Sequence, residues 1–252
     1  MKAYVYYPGC TLCTKAENLN RSAKIVSGML GIYLSEIPDW ICCGAAFPLV
    51  SDDLMSLVAP ARILSNARKK GNRLVTLCSF CFNVLKRTNE VIRKDEEKRE
   101  KLNNFIEEKY EGDVEVLHLL EVLRDDVGFE KIEKMVKRDI ELKIVPYYGC
   151  QILRPKEIGI DDPENPKILE DLMKCLGCEV IEFPHKTECC GSYLSITSPE
   201  IAQKRSLFIL DSAIKRANTI VLSCPLCYYN LYNKRKGISV FYFTELLEKA
   251  IL

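Results

Sequence analysis

The amino-acid sequence contains the same cysteine pattern twice, and this duplication constrains the fold more than any other feature. In each copy a lone cysteine is followed by an adjacent Cys-Cys-Gly pair and then by a Cys-x-x-Cys motif. The lone cysteine and the pair are separated by 31 and 38 residues, and the pair and the last motif by 34 and 33. The first set of five, or pentad, is Cys10, Cys42, Cys43, Cys78 and Cys81; the second is Cys150, Cys189, Cys190, Cys224 and Cys227. A repeat of this kind predicts two structurally similar halves.

Local patterns predict that both halves alternate strands with helices. Runs rich in Val, Ile and Tyr lead into each lone cysteine and favour strands, and further apolar runs precede the later motifs. The predicted strands cover residues 3–7, 32–37, 74–77, 142–148, 179–183 and 219–222, and the predicted helices cover residues 15–30, 52–70, 166–176 and 199–217. This order predicts an α/β fold of two pseudo-symmetric halves. Each half has a small, mostly parallel sheet flanked by helices, with its cysteines at strand ends.

We predict an N-terminal half at residues 1–88, a charged helical connector at 89–140 and a C-terminal half at 141–252. Residues 86–111 contain eight acidic and eight basic side chains, which is typical of a solvated helix with i,i+4 ion pairs. A short strand at 114–117 and amphipathic helices to residue 138 are expected to complete the connector.

Composition limits the classes of function. The 36 Lys and Arg residues nearly balance 35 Asp and Glu, and a formal charge of +1 provides no general attraction for nucleic acid or an anionic membrane. We find no secretory signal and no apolar run near the roughly 18 residues of a membrane span, so we expect a soluble, cytoplasmic protein. In a reducing cytosol, 13 cysteines are expected to be metal ligands or redox groups rather than disulfides.

Five thiols per half suggest a site larger than a single metal ion. Thiolates bind zinc and iron–sulfur clusters, and both a structural zinc site and a conventional four-iron cluster use four of them. The side chains of adjacent cysteines diverge in an extended backbone, so a pair serves two metal atoms more easily than one. The alternatives are two zinc ribbons in which the extra cysteines are small buried residues, and a redox dithiol of the thioredoxin type.

The flanking sequences narrow the interpretation. The motifs are YYPGC at 6–10, DWICCGA at 39–45, YGC at 148–150, LRP at 153–155 and DDPENP at 161–166. With the two pentads, they resemble the cysteine-rich CCG domains and, among these, the B subunit of CoB-CoM heterodisulfide reductase. The resemblance extends over almost the whole chain. The resemblance identifies the subunit family closely. It identifies the substrate less closely, because related proteins occur outside methanogens.

The resemblance implies that each pentad binds one noncubane [4Fe-4S] cluster. It also implies that a mixed disulfide of coenzyme M and coenzyme B enters between the clusters and is reduced to two thiols, a reaction of methanogenesis. Electrons would come from the ferredoxin-like C subunit, itself reduced by the flavin-containing A subunit, in keeping with the absence of a G-x-G-x-x-G motif from this chain. The alternatives are a related iron–sulfur protein acting on another thiol, disulfide or electron-carrier protein, and, in another class, a noncatalytic zinc-binding scaffold.

Three residues outside the pentads are candidates for substrate binding. Gln151 stands where the resemblance implies a possible proton-donating histidine, and its amide donates a hydrogen bond but does not titrate. Arg154 and Lys186 lie near the second pentad and would suit an anionic substrate, although they would also suit a solvated surface. His185 is the nearest alternative proton donor, and His118 carries no functional signal. The remaining cysteines, Cys13, Cys175 and Cys178, are expected to serve in packing.

Overall fold

The computed structural model describes residues 2–45, 54–232, 234 and 236–252. It contains two parallel four-stranded sheets, in the order β2-β1-β3-β4 and β6-β5-β7-β8. The strands are β1 (Lys2–Tyr7), β2 (Ile32–Glu36), β3 (Arg73–Thr76), β4 (Glu115–His118), β5 (Lys143–Tyr147), β6 (Glu179–Val180), β7 (Thr219–Leu222) and β8 (Ser239–Tyr242). The predicted fold of two similar α/β halves is confirmed.

Helices connect the strands and cover the sheets, as parallel pairing requires. They are α1 (Gly9–Leu12), α2 (Glu17–Met29), α3 (Met55–Arg68), α4 (Ser79–Lys94), α5 (Glu96–Ile106), α6 (Leu119–Glu121), α7 (Phe129–Glu133), α8 (Ile168–Cys175), α9 (Pro199–Ala213), α10 (Pro225–Leu231) and α11 (Phe243–Ile251). A π-helical turn spans Val122–Val127 and a 3-10 turn spans Ser192–Leu194. None of the described helices is both long and apolar enough to cross a membrane.

The predicted strands agree with the sheets to within a few residues, and the largest difference is β6, which pairs only at Glu179–Val180. The start of the helix predicted at residue 52 lies outside the described residues. The last strand and helix, β8 and α11, were not predicted. The strand predicted at 114–117 in the connector is β4, and it pairs in parallel with β3 as the edge of the first sheet. The connector boundaries themselves stay a prediction.

The two halves share one continuous hydrophobic core. Helix α2 of the first half packs against α11 of the second, and the buried hydroxyl groups of Ser22 and Thr244 lie 2.6 Å apart within the contact. At the edge of the contact, Arg21 pairs with Glu248 at 2.9 Å. Because a buried polar pair must keep its partner, the halves are held in a defined orientation, and the carboxyl ends of their strands approach each other.

Candidate metal centre

Each lone cysteine follows its strand through a glycine that has a positive φ. Gly9 has φ 72° and Gly149 has φ 68°, a region that L residues with side chains rarely adopt. A Cβ atom at Gly9 would lie 2.9 Å from Cys81 Sγ, and one at Gly149 would lie 3.2 Å from Cys227 Sγ. Glycine is therefore required twice over at these positions, once by backbone conformation and once by the neighbouring sulfur.

The Cys-Cys-Gly loops are held in the same way in both halves. Tyr7 at the end of β1 donates its hydroxyl hydrogen to the Ile41 carbonyl at 2.8 Å, and Tyr147 donates to the Glu188 carbonyl at 2.6 Å. The glycine that follows each pair has a positive φ, and its N–H points to the first sulfur of the pair, at 3.5 Å in the first half and 3.3 Å in the second. The two loops are thus closed by equivalent contacts.

Each Cys-x-x-Cys motif lies where a helix begins. Cys78 is extended and α4 begins at the next residue, so that Cys81 occupies its first turn; Cys224 and Cys227 stand in the same relation to α10. All four residues are buried. A strand end and a helix start together fix the directions of both side chains in the motif.

The structure brings the predicted ligands of each half together. In the first half, Cys42 Sγ lies 3.9 Å from Cys10 Sγ, and Cys43 Sγ lies 3.5 Å from Cys81 Sγ. In the second half, Cys190 and Cys227 have their sulfurs 3.4 Å apart. One cavity is lined by all five cysteines of the second pentad, together with Ser79, Phe80, Tyr148, Gln151 and Ser192.

Two of these cavity residues come from the opposite half. Ser79 and Phe80 extend from the first Cys-x-x-Cys motif over the second pentad. Ser79 Oγ donates to the Ser223 carbonyl at 3.3 Å, and Ser79 and Ser223 each lie next to the first cysteine of a Cys-x-x-Cys motif. The two groups of thiols are therefore neighbours across the interface between the halves.

Hydrogen bonds between the thiols shift their pKa values. Hydrogen bonds from Cys42 and Cys81 lower the pKa of the Cys43 thiol, against the opposing effect of burial. A hydrogen bond from Cys150 lowers the pKa of the Cys189 thiol, while the pKa of Cys150 is raised by the same contact and by burial. A lowered pKa favours the thiolate, which is the form that binds metal.

The donor set fits an iron–sulfur group held by several sulfurs. The hydroxyl of Ser223, beside Cys224, is fully buried and has no hydrogen-bond partner among the described residues. An O–H group in this position suits a sulfide or thiolate acceptor. No group of three or more His, Cys, Asp or Glu side chains in the described part of the chain is arranged to hold one metal ion. The five sulfurs of the second half instead surround a shared cavity.

The three candidate substrate residues have different surroundings. Gln151 lines the cavity, with its Nε2 atom 3.6 Å from Cys150 Sγ. Arg154 donates to Glu164 Oε1 at 2.9 Å and to the Thr187 carbonyl at 3.3 Å. Of the three, the glutamine is the residue that borders the cavity directly.

Lys186 is buried, with 8% of its surface exposed. Its ammonium donates to Glu170 Oε1 at 2.8 Å and, at 3.0 Å each, to Asn165 Oδ1 and the Pro166 carbonyl. These acceptors match its three N–H donors. The backbone carbonyl of Lys186 accepts the N–H groups of Tyr148 and Gly149. Lys186 thus links the backbone just before Cys150 to Glu170 and to the DDPENP segment. These contacts give that segment a structural role next to the second pentad.

Within the described part of the chain the remaining cysteines are not bonded to the pentads, and His185 packs between two aromatic rings. Among the described residues, no hydrogen bond joins the sulfur of Cys13, Cys175 or Cys178 to a pentad sulfur. His185 packs between the rings of Phe183 and Phe208, at centroid distances of 5.7 and 4.7 Å.

Sequence reasoning missed Ser79 and Phe80 as cavity residues, because their positions there depend on how the halves meet, and it missed Ser192, which follows the second Cys-Cys-Gly loop. It also missed His118 and Tyr242, which lie where the two sheets approach each other. A second repeated pattern was available to find them. V-x-H-x-x-E at 116–121 and V-x-Y-x-x-E at 240–245 follow the two Cys-x-x-Cys motifs in the same order.

The chain has relatives among known proteins. The cysteine-rich domain family, CCG, matches residues 4–86 and again residues 144–232. The 8-methylmenaquinol:fumarate reductase membrane anchor subunit of Wolinella succinogenes is 34% identical, over 91% of this chain and 82% of that protein. The B subunit of the ferredoxin/F420H2-dependent CoB-CoM heterodisulfide reductase of Methanosarcina acetivorans is 26% identical over 97% of this chain and 88% of that one. A protein of Archaeoglobus profundus described as like the B subunit of heterodisulfide reductase is 29% identical over 92% and 81%.

A solved structure of a hypothetical protein from Helicobacter pylori is similar in fold, with a TM-score of 0.71 at 12% identity. The match covers 99% of this chain and 49% of that protein, so this chain spans about half of its length. The likeness shows the fold alone.

With its two matched domains and duplicated cysteine sites, the chain belongs to the cysteine-rich CCG domain family. The resemblance to the B subunit of heterodisulfide reductase is also confirmed, because several relatives carry that name.

Proposed function

We propose that this chain is the catalytic iron–sulfur subunit of a heterodisulfide reductase, which reduces CoM-S-S-CoB or a similar mixed disulfide to two thiols in the cytoplasm. The observation that carries the proposal is that the first Cys-x-x-Cys motif meets the second pentad: Ser79 and Phe80 line its cavity, and Ser79 Oγ lies 3.3 Å from the Ser223 carbonyl oxygen. Splitting a disulfide requires two electrons, and two adjacent redox centres suit that requirement.

In this proposal each pentad holds one noncubane [4Fe-4S] cluster. The first pentad would be loaded through Cys10 in α1, through Cys42 and Cys43 in the loop after β2, and through Cys78 and Cys81 at the start of α4. The second would be loaded through Cys150, Cys189, Cys190, Cys224 and Cys227. A bound cluster supplies electrons and a Lewis-acidic iron to a substrate sulfur.

The residues of this chain would bind and orient the disulfide. Gln151 is placed to donate a hydrogen bond to a sulfur, and the apolar surface of Phe80 limits the access of water to the cavity. The reaction consumes two electrons and two protons as the S–S bond breaks and two S–H bonds form. We assign the electrons to the ferredoxin-like C subunit, supplied in turn by the flavin-containing A subunit, and the protons to water.

A second candidate follows from the 34% identity to part of a menaquinol:fumarate reductase, which exceeds the identities of 26% and 29% to the two heterodisulfide reductase relatives. In this alternative the same two clusters pass electrons between a quinol and a reductase partner. The choice between the two candidates rests on the substrate rather than on the cluster ligands.

Metal analysis of anaerobically purified protein tests both candidates against a zinc scaffold. We expect about eight irons and eight acid-labile sulfides per chain, as in two four-iron clusters. Protein that contains two zinc ions and no sulfide would exclude both candidates.

Steady-state assays then separate the candidates. With a reduced viologen as the electron donor, we expect two thiols to form from each heterodisulfide consumed. Reduction of the clusters by a menaquinol analogue, without any heterodisulfide turnover, would favour the second candidate instead.

A further inference from the structure

One residue in each half occupies the same position at the carboxyl end of the last strand of its sheet. His118 ends β4 and Tyr242 ends β8, and a helix begins at the next residue in both cases. The backbone N–H of His118 donates to Glu121 Oε2 at 2.8 Å, and that of Tyr242 donates to Glu245 Oε2 at 2.9 Å. The fold therefore directs the two side chains to the interface by the same local structure.

Both side chains reach backbone carbonyls next to the cysteines. The Tyr242 hydroxyl lies 2.6 Å from the Leu77 carbonyl oxygen and 3.2 Å from that of Ser223. His118 Nε2 lies 3.1 Å from the Leu77 oxygen. Leu77 and Ser223 immediately precede the first cysteine of the two Cys-x-x-Cys motifs. With the Ser79 hydroxyl, which also donates to the Ser223 carbonyl, these groups form one polar cluster between the halves.

The protonation state of His118 is suited to this contact. Its Nδ1 atom accepts the N–H of Leu120 at 3.2 Å, so the ring hydrogen lies on Nε2 and is donated to the Leu77 carbonyl. Burial lowers the pKa of His118 to about 4, which keeps the imidazole neutral at physiological pH. Both side chains are fully buried, and the loss of either donor removes a hydrogen bond from a carbonyl at the interface.

We propose that His118 and Tyr242 are positioning residues that fix the two Cys-x-x-Cys motifs against each other and so set the separation of the two clusters. The inference rests on the proposed function only in assuming that both pentads are loaded. Cys78 and Cys224 directly follow the bonded carbonyls, one in each pentad. A shift of the carbonyls moves these two sulfurs directly.

The test combines cluster loading, magnetic spectra and kinetics for Tyr242→Phe in the full chain. Tyr110→Phe is the control, because it removes another fully buried hydroxyl, one that accepts the Val114 N–H at 3.2 Å away from the cysteines. We expect Tyr242→Phe to keep its iron but to show a weaker magnetic interaction between the two reduced clusters. We also expect kcat to fall by about 10-fold to 100-fold with little change in KM, since misplacement by about 1 Å has effects of this size.

Histidine variants provide an independent readout. In His118→Gln the side-chain amide retains an N–H donor near the position of Nε2, whereas His118→Leu has none. We expect the magnetic interaction to be close to wild type in His118→Gln and weakened in His118→Leu. This pair decides the question if Tyr242→Phe does not fold.

The proposal is overturned if Tyr242→Phe matches Tyr110→Phe in both spectrum and kcat, or if His118→Gln and His118→Leu behave alike. A failure of the proposed function gives a different result. Wild-type protein would then contain interacting clusters and reduce no disulfide, and the effect of the variants on the magnetic interaction would still be measurable.

Discussion

At the residue scale, two glycines show how closely the backbone approaches the sulfurs. Gly9 and Gly149 have positive φ values and lie against Cys81 and Cys227, one in each half. Gly31 also has a positive φ, 78°, but a Cβ atom there would meet no atom within 4 Å. Gly31 therefore shares with Gly9 only the backbone conformation, whereas Gly9 also lies against a candidate ligand sulfur.

We predict that Gly9→Ala loses the first cluster, because its methyl group would displace the Cys81 sulfur. The purified variant should contain about half of the wild-type iron. Gly31→Ala is the matched control, and it should lower the free energy of unfolding by about 1–2 kcal/mol while iron stays at the wild-type level. Full iron in Gly9→Ala would contradict the assignment of Cys81 as a ligand.

Serine substitutions distinguish the ligands from the other cysteines. Cys43→Ser and Cys190→Ser should each convert or remove one cluster, because serine replaces a thiolate that lies in contact with another pentad sulfur. Visible and magnetic spectra of Cys13→Ser, Cys175→Ser and Cys178→Ser should match those of wild type. A bleached spectrum in Cys13→Ser would show that the first pentad is wrongly assigned.

The buried imidazole of His118 predicts a pH dependence of stability. Its pKa is about 4 in the folded chain and about 6.5 when unfolded, so the unfolded state binds more protons between these values. The contribution of the neutral imidazole to the free energy of unfolding is therefore fully present above pH 6.5. It is lost as the pH falls toward 4, and the loss is at most about 3 kcal/mol. The difference in melting temperature between wild type and His118→Gln should shrink over this range. A constant difference from pH 7 to pH 4 would show that the imidazole protonates freely in the fold.

At the scale of elements, Lys186 joins three segments behind the second pentad. Its ammonium pairs with Glu170 on α8 and with the 165–166 segment, and its carbonyl receives the N–H groups that precede Cys150. The Tyr148 hydroxyl bonds to the same glutamate. The Lys186 ammonium, a candidate for binding an anionic substrate, thus donates all three of its N–H groups to acceptors within the fold.

We predict that Lys186→Met lowers the free energy of unfolding by about 3–5 kcal/mol, since it leaves the buried carboxylate of Glu170 without its cation. Lys174→Met is the matched control on α8. Its exposed pair with Asp171, at 3.4 Å, should contribute less than about 0.5 kcal/mol. Chemical denaturation of the metal-free chains gives both values. If Lys186→Met were as stable as Lys174→Met but had a raised KM for the disulfide, the side chain would serve the substrate instead.

At the scale of the whole molecule, the two sites differ in access to solvent. Cys10 and Cys42 are exposed, whereas their counterparts Cys150 and Cys189 are only partly exposed. Electron supply from a partner favours the more accessible site, and the chain has no flavin or nicotinamide motif of its own. The first pentad is therefore the better candidate for the entry of electrons.

We predict that the isolated chain reduces a heterodisulfide only with an artificial low-potential donor, and that a ferredoxin-like partner replaces that donor by docking near Cys10. Reconstitution with the purified partner and a physiological reductant measures this directly. Cys10→Ser should weaken the partner-dependent rate and the loading of the first cluster. Turnover by the chain alone with reduced nicotinamide would contradict the prediction.

The sequence by itself determined the features that depend on local patterns. Alternating apolar runs specified strands such as β1 and β7, and the spacing of the cysteines specified two equivalent sites at strand ends. These features depend on steric preferences of neighbouring residues, so they can be read from the chain without knowledge of its packing.

Only the tertiary structure decided how the halves meet. The bonds from Tyr242 to the Leu77 carbonyl and from Ser79 to the Ser223 carbonyl join residues 165 and 144 positions apart. Burial and a salt bridge to Glu170 place Lys186 inside the fold, and pairing with β3 makes β4 an edge strand of the first sheet. Such contacts follow from the docking of α2 against α11 and the closure of one core over both sheets. No local propensity encodes them, because the packing free energy that selects them exists only once distant segments come together.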